Sequence, residues 1–422
     1  MTNNNLKTKE STTPHSLVTE DHVKKALLAD KGSDALLESW VMEDFTKQGD
    51  NYACVVSSVR VKFSLHGDTS EVVYIVKLNP CRNIEAVEHI TRLLFSKEAK
   101  FYLNLASLMS AELTAIGHDP LRIPVCFHGS LESGHEILFL KDLRPRGFKM
   151  FDRRKGLDVA HTTLILQELA RFHASSVLLE AKCPGGDLSL QHDYLLGDWT
   201  TADNMPALFD RYLENAIQML NKVGGYNRAT TWIESLRGKV KDIFEEQLGS
   251  RGKFIVVCHG DCWNNNVLFR YDNKGAPVEV MLLDLQVVRR SSPAADINYL
   301  LYTSLTGDIR KPNLDTFLSK YYNSFHSVLQ EAKMDMPFTE TWLLQEFREK
   351  NLVGALFAMM LVPMVLFEPE DVPDMSGDDN SDLEDIMNDF MKKGLEMIDT
   401  NPLMKPRFLA VFDEMMEVGI IP

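Results

Sequence analysis

The sequence predicts an α+β protein of two lobes, a small β-rich N-terminal lobe over residues 19–142 and a larger, mainly helical C-terminal lobe over residues 143–422. A chain of 422 residues is long enough for two lobes around a cleft. Strand-like runs rich in Val, Ile, Phe and Tyr are concentrated in the first of these regions, and helical spacing of apolar residues dominates the second. Residues 1–18 are polar and predict a disordered tail.

The composition is typical of a soluble enzyme and argues against several other classes of protein. Hydrophobic residues make up 45% of the chain and charged residues 25%, and the net charge of −15 argues against a nucleic-acid partner or a basic membrane anchor. No apolar run approaches the roughly 18 residues of a membrane span, and the N-terminus has no apolar signal core. Six scattered cysteines indicate a reduced, cytoplasmic protein, which we expect to be a monomer without nucleic-acid or membrane partners.

The first predicted elements lie between residues 17 and 46. Leu36, Leu37, Trp40 and Val41 recur at three- and four-residue spacing, as the apolar face of a helix does. The pattern therefore predicts one or two helices before the first strand.

A β-hairpin over residues 54–63 and 71–78 follows a short loop at 49–53. A loop between strands can direct backbone N–H groups at phosphate oxygens, so Asn51 and Tyr52 are candidate phosphate-binding residues. The glycine pattern G-x-G-x-x-G is absent, and an ordinary turn is the alternative interpretation.

Lys77 is the most informative residue of this hairpin. Val73, Ile75 and Lys77 share one strand face, and a lysine on a half-buried apolar face needs a partner for its charge. The next helix, over residues 83–108, places Glu98 among apolar residues on one face. Together with Asp261, Asn266 and Asp284 further along the chain, the pattern favours a Lys77–Glu98 ion pair of the kind that positions phosphates. The alternative is a lysine that reaches solvent at a strand end and a solvated glutamate.

Two further strands, over residues 122–127 and 136–140, complete the N-terminal lobe. The second strand runs into Lys141, Asp142 and Leu143, where we expect the chain to cross to the other lobe. Amphipathic spacing then predicts helices over residues 158–182, 206–223 and 230–248.

The chain is organised around one stretch in its second half. Two strand-like runs, over residues 266–271 and 278–283, are separated by strong turn residues and predict a hairpin. Its open end would bring Asn266 beside Asp284, and Asp261 enters just before Asn266. Two carboxylates and an amide oxygen would then converge, and such hard oxygen ligands suit Mg²⁺, which also keeps waters and substrate phosphates.

A second copy of the tripeptide His-Gly-Asp provides an internal control. His66, Gly67 and Asp68 repeat the residues that end at Asp261, but the position five residues after Asp68 is Val73. We interpret this copy as a turn between two strands. The spacing from Asp261 to Asp284, rather than the tripeptide, is therefore the specific signal.

The other polar residues that the sequence singles out have structural rather than catalytic roles. Asp296 lies where a helix begins, and we interpret it as structural support for the stretch that contains Asp261. His173 is interpreted as a hydrogen-bonded core histidine. The rest is mostly helical, including a buried helix over residues 352–367, apart from an acidic stretch over residues 368–385 that predicts a solvated loop.

Together these residues resemble the ecdysteroid kinase-like family of arthropods, also called CHK kinase-like. That family lies within the aminoglycoside phosphotransferase and choline kinase group, and the resemblance implies a bilobal protein-kinase-like fold. The resemblance covers the chain from about residue 20 to about residue 415. It is carried by residues 49–53, 76–80, 95–102, 140–143, 168–174, 259–266, 283–286 and 292–296.

The resemblance implies ATP and Mg²⁺ as cofactors and a role for each matched position. Lys77 is expected to bind the α- and β-phosphates, with Glu98 as its ion-pair partner. Asp261 is expected to orient or deprotonate the acceptor hydroxyl. Asn266 and Asp284 are expected to hold Mg²⁺.

The same resemblance makes Lys141, Asp142 and Leu143 the hinge whose backbone meets adenine. Lys141 stands where an acidic residue is commoner in the family, but the expected adenine contacts are made mostly by the backbone. Asp284 is followed by Leu-Gln rather than the Phe-Gly of protein kinases, as is usual in the small-molecule group.

The expected function is therefore ATP-dependent phosphorylation of a hydroxyl on a small acceptor, an ecdysteroid or a hydroxylated xenobiotic. A catalytically inactive, pseudokinase-like binding protein and a choline- or aminoglycoside-type kinase are the alternatives. A protein kinase is disfavoured by the missing glycine motif and by the Leu-Gln after Asp284.

Overall fold

The computed structural model describes residues 13–45, 54–81, 85–197, 200, 205–368 and 383–422. Asn51 and Tyr52, the predicted phosphate-loop residues, lie outside these ranges. The same holds for residues 1–12 of the predicted tail and for residues 369–382 of the predicted acidic loop.

The N-terminal lobe is built on a five-stranded antiparallel sheet with the strand order β1-β2-β3-β5-β4. Its strands are β1 (Leu36–Asp44), β2 (Val55–Leu65), β3 (Asp68–Leu78), β4 (Cys126–Ser130) and β5 (Ile137–Lys141). β2 and β3 are joined at His66 and Gly67, whose φ angles of 52° and 93° match the two-residue turn that suits the twist of paired strands. The predicted turn at the second His-Gly-Asp is thus confirmed.

The prediction of helix up to residue 46 was wrong in its second half. α1 (Glu20–Lys31) ends at Gly32, and the chain then forms β1, paired antiparallel with β2. The apolar residues from Leu36 to Val41 fit both periods, and pairing with the long β2 edge decided between them. Gly32-Ser33-Asp34 was the available breaker signal between the helix and the strand.

The predicted disordered tail of residues 1–18 is too long. Residues Pro14–Leu17 form a helical turn, and Leu17 and Val18 are buried in the core between α1 and the sheet. Thr19 then caps α1 by accepting a hydrogen bond from the backbone N–H of His22. Burial of these two apolar residues accounts for the order of the short stretch before α1.

One long helical segment crosses behind the sheet. It consists of α2 (Glu85–Lys100), a π-helical turn at Phe101–Leu105 and α3 (Ala106–Ala115). The predicted face is buried, because Phe95, Glu98 and Tyr102 are each at most 6% exposed. The π turn begins three residues after Glu98, and such turns are concentrated at functional sites.

The C-terminal lobe is mainly helical and contains the larger hydrophobic core. Its helices are α4 (Val159–Glu180), α5 (Met205–Val223), α6 (Asn227–Glu234), α7 (Val240–Leu248), α8 (Pro293–Ser304), α9 (Gly307–Glu331), α10 (Glu340–Glu349), α11 (Asn351–Val365), α12 (Leu383–Thr400) and α13 (Met404–Glu417). Its strands form two antiparallel pairs, β6 (Val256–Cys258) with β9 (Arg289–Ser291) and β7 (Val267–Tyr271) with β8 (Pro277–Leu282).

Two helix predictions had different outcomes. The buried helix predicted for residues 352–367 is confirmed as α11, which is buried along nearly its whole length. The single helix predicted for residues 230–248 is wrong, because α6 and α7 are separated by a turn in which Gly238 has a φ of 67°. No helix in the described parts of the chain is long and apolar enough to cross a membrane.

The predicted α+β architecture of a small sheet-bearing lobe and a large helical lobe is confirmed. β5 ends at Lys141, and the chain then passes along β7, where Lys149 and Phe269 exchange backbone hydrogen bonds. The division of the lobes at residues 142 and 143 stays a prediction.

Candidate active site

Lys77 lies at the centre of a buried charge cluster between the lobes. Its Nζ donates to Oε2 of Glu98 at 2.5 Å and to Oδ1 of Asp284 at 2.5 Å. Glu98 also accepts a hydrogen bond from the backbone N–H of Leu285 at 3.3 Å. β3, α2 and the segment after β8 thus bring together three residues that the sequence analysis selected.

The charges of this cluster depend on one another. Burial opposes the charge on Lys77, but the carboxylates of Asp284 and Glu98 outweigh it and hold the pKa of Lys77 well above its usual value. Burial raises the pKa of Glu98, and the ion pair with Lys77 opposes that shift. A lysine shared by two carboxylates is charged, and an anionic ligand in the cleft can take over one of its contacts.

The loop that carries Asp261 follows β6 and requires a glycine. Gly260 has a φ of 82°, and a Cβ atom at this position would lie 2.1 Å from the backbone oxygen of Val287. Only glycine allows this close approach without displacement of the backbone. The Gly of the His-Gly-Asp tripeptide is therefore dictated by the path of the loop.

Asp296 supports this loop, as predicted. Its Oδ2 accepts the backbone N–H of His259 at 2.6 Å, and its Oδ1 accepts that of Gly260 at 2.8 Å. Burial opposes ionisation of Asp296, but hydrogen bonds from His173 and from the loop outweigh it and lower its pKa. His173 is a hydrogen-bonded core histidine, 3.0 Å from Asp296 through Nε2 and 2.7 Å from the hydroxyl of Tyr321 through Nδ1.

Asn266 is in direct contact with Asp261. Its Nδ2 donates to the backbone oxygen of Asp261 at 2.9 Å and to Oδ2 of Asp261 at 2.8 Å. This leaves the amide oxygen of Asn266 as a potential metal ligand. Burial raises the pKa of Asp261 to about 7, and the nearby carboxylate of Asp284 contributes to the shift.

The β7–β8 hairpin brings the second acidic residue to the same place, as the spacing predicted. The backbone N–H of Leu283 donates to the backbone oxygen of Asn266 at 2.8 Å, so Asn266 and the residue before Asp284 lie side by side. Asp284 has a φ of 62°, an uncommon backbone conformation for a residue with a side chain. The donor set of Asp261, Asn266 and Asp284 is the all-oxygen set that suits Mg²⁺.

The three predicted hinge residues differ in their surroundings. Lys141 is exposed, and Asp142 forms a two-point ion pair with Arg144. Leu143 is 5% exposed and belongs to a small apolar cluster with Phe148 and Met281. Of the three side chains, that of Leu143 therefore packs into an apolar cluster.

Two residues that pack against this cluster were missed. Leu268 and Leu283 are half-buried against the cluster of Leu143, and Leu283 directly precedes Asp284. The sequence held a signal for Leu268. It lies two residues after Asn266 in the strand predicted for residues 266–271, so the two residues would share one face of that strand.

Two polar residues of the site were also missed. The hydroxyl of Tyr299 donates to Oδ1 of Asp261 at 2.5 Å, and Nε2 of Gln286 donates to Oδ2 of Asp284 at 3.0 Å. Gln286 was visible only as part of the resemblance. Tyr299 follows Asp296 by three residues on a helix, which places both on one face, and that spacing was the available signal.

Two cysteines flank the tripeptide that ends at Asp261, and both are structural. Cys258 and Cys262 are fully buried, and burial raises the pKa of both thiols well above the usual value. Within the described ranges, His173, Cys258 and Asp296 bring potential metal-ligating atoms within 4.8 Å of one another. The hydrogen bonds of His173 and Asp296 already account for that cluster.

Known proteins match most of this chain. The model of the ecdysteroid kinase-like family matches residues 48–334. An uncharacterised kinase-like protein of Caenorhabditis elegans is 24% identical over 287 residues, which cover 65% of this chain and 67% of that protein. The solved ethanolamine kinase of Plasmodium vivax has a TM-score of 0.43 and 10% identity, covering 92% of this chain and 91% of that one. The solved choline kinase of Cryptosporidium parvum has a TM-score of 0.40 and 13% identity, covering 96% of this chain and 98% of that one.

Proposed function

This chain belongs to the ecdysteroid kinase-like family, and from that premise we propose that it is an ATP-dependent small-molecule kinase. It transfers the γ-phosphoryl group of ATP to a hydroxyl of a small acceptor. The observation that carries the proposal is the convergence of Lys77, Glu98, Asp261, Asn266 and Asp284 at the cleft between the lobes. These are the parts that phosphoryl transfer requires, a cation for the phosphates, a metal site and a group that orients the nucleophile.

Lys77 binds the α- and β-phosphates, and Glu98 holds it in place. The contact between Lys77 and Glu98 is buried, so it keeps the amine at the cleft when the phosphates replace its contact with Asp284. The positive charge stabilises the negative charge of the transferring group in a site that excludes water.

Asn266 and Asp284 would hold Mg²⁺ through the amide oxygen and the carboxylate. When bound, the ion would supply positive charge that offsets the charge of the phosphates. The left-handed backbone at Asp284 and the contacts of its two oxygens with Lys77 and Gln286 define the orientation of this carboxylate.

Asp261 orients the acceptor hydroxyl and accepts its proton. A carboxylate whose pKa is raised to about 7 by burial is a better proton acceptor than an exposed one near neutral pH. Orientation of the hydroxyl in line with the phosphorus atom supplies the rest of the rate enhancement.

The hinge at Lys141, Asp142 and Leu143 receives the adenine ring through its backbone. The apolar cluster around Leu143, with the half-buried Leu268 and Leu283, supplies the surface on which the ring packs. Asn51 and Tyr52, which lie outside the described residues, stay candidates for binding the phosphates. The protein works as a cytoplasmic monomer with neither nucleic-acid nor membrane partners, and its net charge of −15 supports the absence of nucleic acid.

The acceptor is an ecdysteroid or a hydroxylated xenobiotic, in keeping with the family. The test is the transfer of labelled phosphate from Mg-ATP to a panel of ecdysteroids, plant phenolics, choline and aminoglycosides, with Asp261→Asn as the blank. Transfer to an ecdysteroid or a phenolic that is absent in the blank supports the proposal. Transfer only to choline or an aminoglycoside contradicts the acceptor class. ATP binding without transfer to any acceptor would instead favour a pseudokinase-like binding protein.

A further inference from the structure

We infer that Tyr299 is a positioning residue, which holds the carboxylate of Asp261 in the orientation that the acceptor hydroxyl requires. The inference rests on the proposed function for its catalytic consequence, but its structural basis is independent of the acceptor. It begins with the two oxygens of Asp261. Oδ1 accepts the hydrogen bond of the Tyr299 hydroxyl, and Oδ2 accepts that of Asn266 Nδ2.

The carboxylate plane of an aspartate has no strongly preferred orientation of its own. Rotation about the last bond of the side chain is broad and roughly two-fold, so neighbouring donors must define it. At Asp261 one donor comes from the same loop, Asn266, and another comes from α8, Tyr299, while Gln286 also donates to this carboxylate. Two donors on opposite oxygens fix the plane and leave the remaining lone pairs for the acceptor.

The side chain of Tyr299 is held firmly, so the acceptor hydroxyl does not replace the Tyr299 hydroxyl at Asp261. Tyr299 is 5% exposed, and its ring centroid lies 4.5 Å from that of Phe357 in α11. It lies in the middle of α8, whose first turn is capped by Ser292. A ring enclosed in this way cannot rotate out without disturbing two packed helices.

The same helix also holds the backbone of the loop. Asp296 and Tyr299 lie one turn apart on α8, and the first accepts the N–H groups of His259 and Gly260 while the second contacts the side chain of Asp261. α8 therefore sets both the path of the loop and the rotation of its carboxylate. A side chain positioned from a packed helix is defined more sharply than one positioned from a loop.

The test is Tyr299→Phe, which keeps the ring and its contact with Phe357 and removes the hydroxyl. We expect kcat to fall about 10- to 100-fold, the range for loss of one hydrogen bond to a charged group, with the KM for ATP unchanged. The matched control is Tyr302→Phe, one turn along α8, where the ring lies over the guanidinium of Arg310 at 4.4 Å. This control should retain the kcat of the unmodified protein. An unchanged or increased kcat in Tyr299→Phe, or an equal loss in the control, would overturn the inference.

A second measurement does not depend on turnover. High-resolution structures of the unmodified protein and of Tyr299→Phe should differ in the rotation of the Asp261 carboxylate, with its contact to Asn266 changed and the α8 backbone in place. The same carboxylate orientation in both structures would overturn the role of Tyr299, whatever the activity. If the unmodified protein phosphorylates no acceptor, the proposed function fails, and this comparison still decides whether Tyr299 orients Asp261.

Discussion

The amino group of Lys77 lies 2.5 Å from a carboxylate oxygen of Asp284, a residue 207 positions away in the chain. The same amine is 2.5 Å from Glu98, 21 positions away. This one cation therefore joins the sheet of the N-terminal lobe, the helix behind it and the acidic residue that we propose as a metal ligand. Its removal leaves two carboxylates facing each other in a buried site.

We expect Lys77→Met to lower both stability and phosphoryl transfer. Loss of one member of a buried ion pair costs about 3–5 kcal/mol, because the remaining charge is left without compensation. The free energy of unfolding, measured by urea denaturation, should fall by that amount, and transfer from ATP should be lost.

The matched control is Lys62→Met on β2. Lys62 lies 3.7 Å from Glu38, and its side chain is 55% exposed. Exposed pairs contribute about 0–1 kcal/mol, so this variant should remain close to the unmodified protein. Equal losses in the two variants would contradict the special role of the buried cluster.

Gly260→Ala should disrupt the loop that carries Asp261. The new Cβ atom would lie 2.1 Å from the backbone oxygen of Val287, and the φ of 82° is strained for alanine. We expect a loss of about 3 kcal/mol or more in the free energy of unfolding, together with loss of transfer.

Gly275→Ala separates the two causes of that loss. Gly275 has a φ of 81° in the β7–β8 turn, and nothing lies within 4 Å of its added Cβ atom. Only the backbone strain of about 1 kcal/mol remains, and activity should be kept. A Gly260 variant as stable as the Gly275 variant would show that the loop can shift away from Val287.

Asp284→Asn should remove the Mg²⁺-dependent part of ATP binding. Asparagine tolerates the left-handed backbone of this position, so the substitution changes the charge and keeps the conformation. For the unmodified protein, ATP at about 100 times its Kd should stabilise the fold by about 2.7 kcal/mol when Mg²⁺ is present. Thermal shifts with Mg²⁺ and with EDTA should differ strongly for the unmodified protein and little for the variant.

Asp272→Asn is the control for charge alone. Asp272 is exposed in the turn at the other end of the same hairpin, and removal of its charge should leave the Mg²⁺-dependent shift intact. A full Mg²⁺-dependent shift in Asp284→Asn would exclude this carboxylate as a metal ligand.

Lys97 next to Glu98 is expected to hold α2 in position. Its side chain is buried, and its Nζ donates to the backbone oxygen of Gly197 in the segment that follows α4. The same segment is bound to the strand after Asp284, because Arg290 donates to Asp187 at 2.5 Å. It therefore contacts both the helix that carries Glu98 and the strand that follows Asp284.

Lys97→Met should loosen α2 and weaken ATP binding by about tenfold, the effect of one lost hydrogen bond to a charged group. Isothermal titration with Mg-ATP measures this change. Lys100→Met should have a smaller effect, because the amine of Lys100 only approaches the ring of Tyr194, at 6.0 Å from its centroid. The idea fails if Lys97→Met binds Mg-ATP as tightly as the unmodified protein.

The local spacing of the chain was sufficient to select the residues at the centre of the site. Asp261, Asn266 and Asp284 lie on one hairpin and its approach, and a hairpin has a register that a sequence shows directly. Lys77 and Glu98 could be selected because a charged residue on an apolar face is improbable without a partner. The β1 strand was mistaken for a helix because an edge strand depends on its neighbour, which local spacing does not reveal.

By itself, the sequence predicted the α+β architecture and selected the charged residues proposed for the cleft, because both depend on short-range periods and spacings. The family was indicated by the resemblance of its motifs. Only the tertiary structure decided that Lys77 bridges Glu98 and Asp284, that Gly260 lies against Val287 and that Tyr299 contacts Asp261. Each of these contacts joins segments whose separation in the chain is unrelated to their separation in space. The packing of α8 and of the two lobes sets those distances, and no local pattern encodes them.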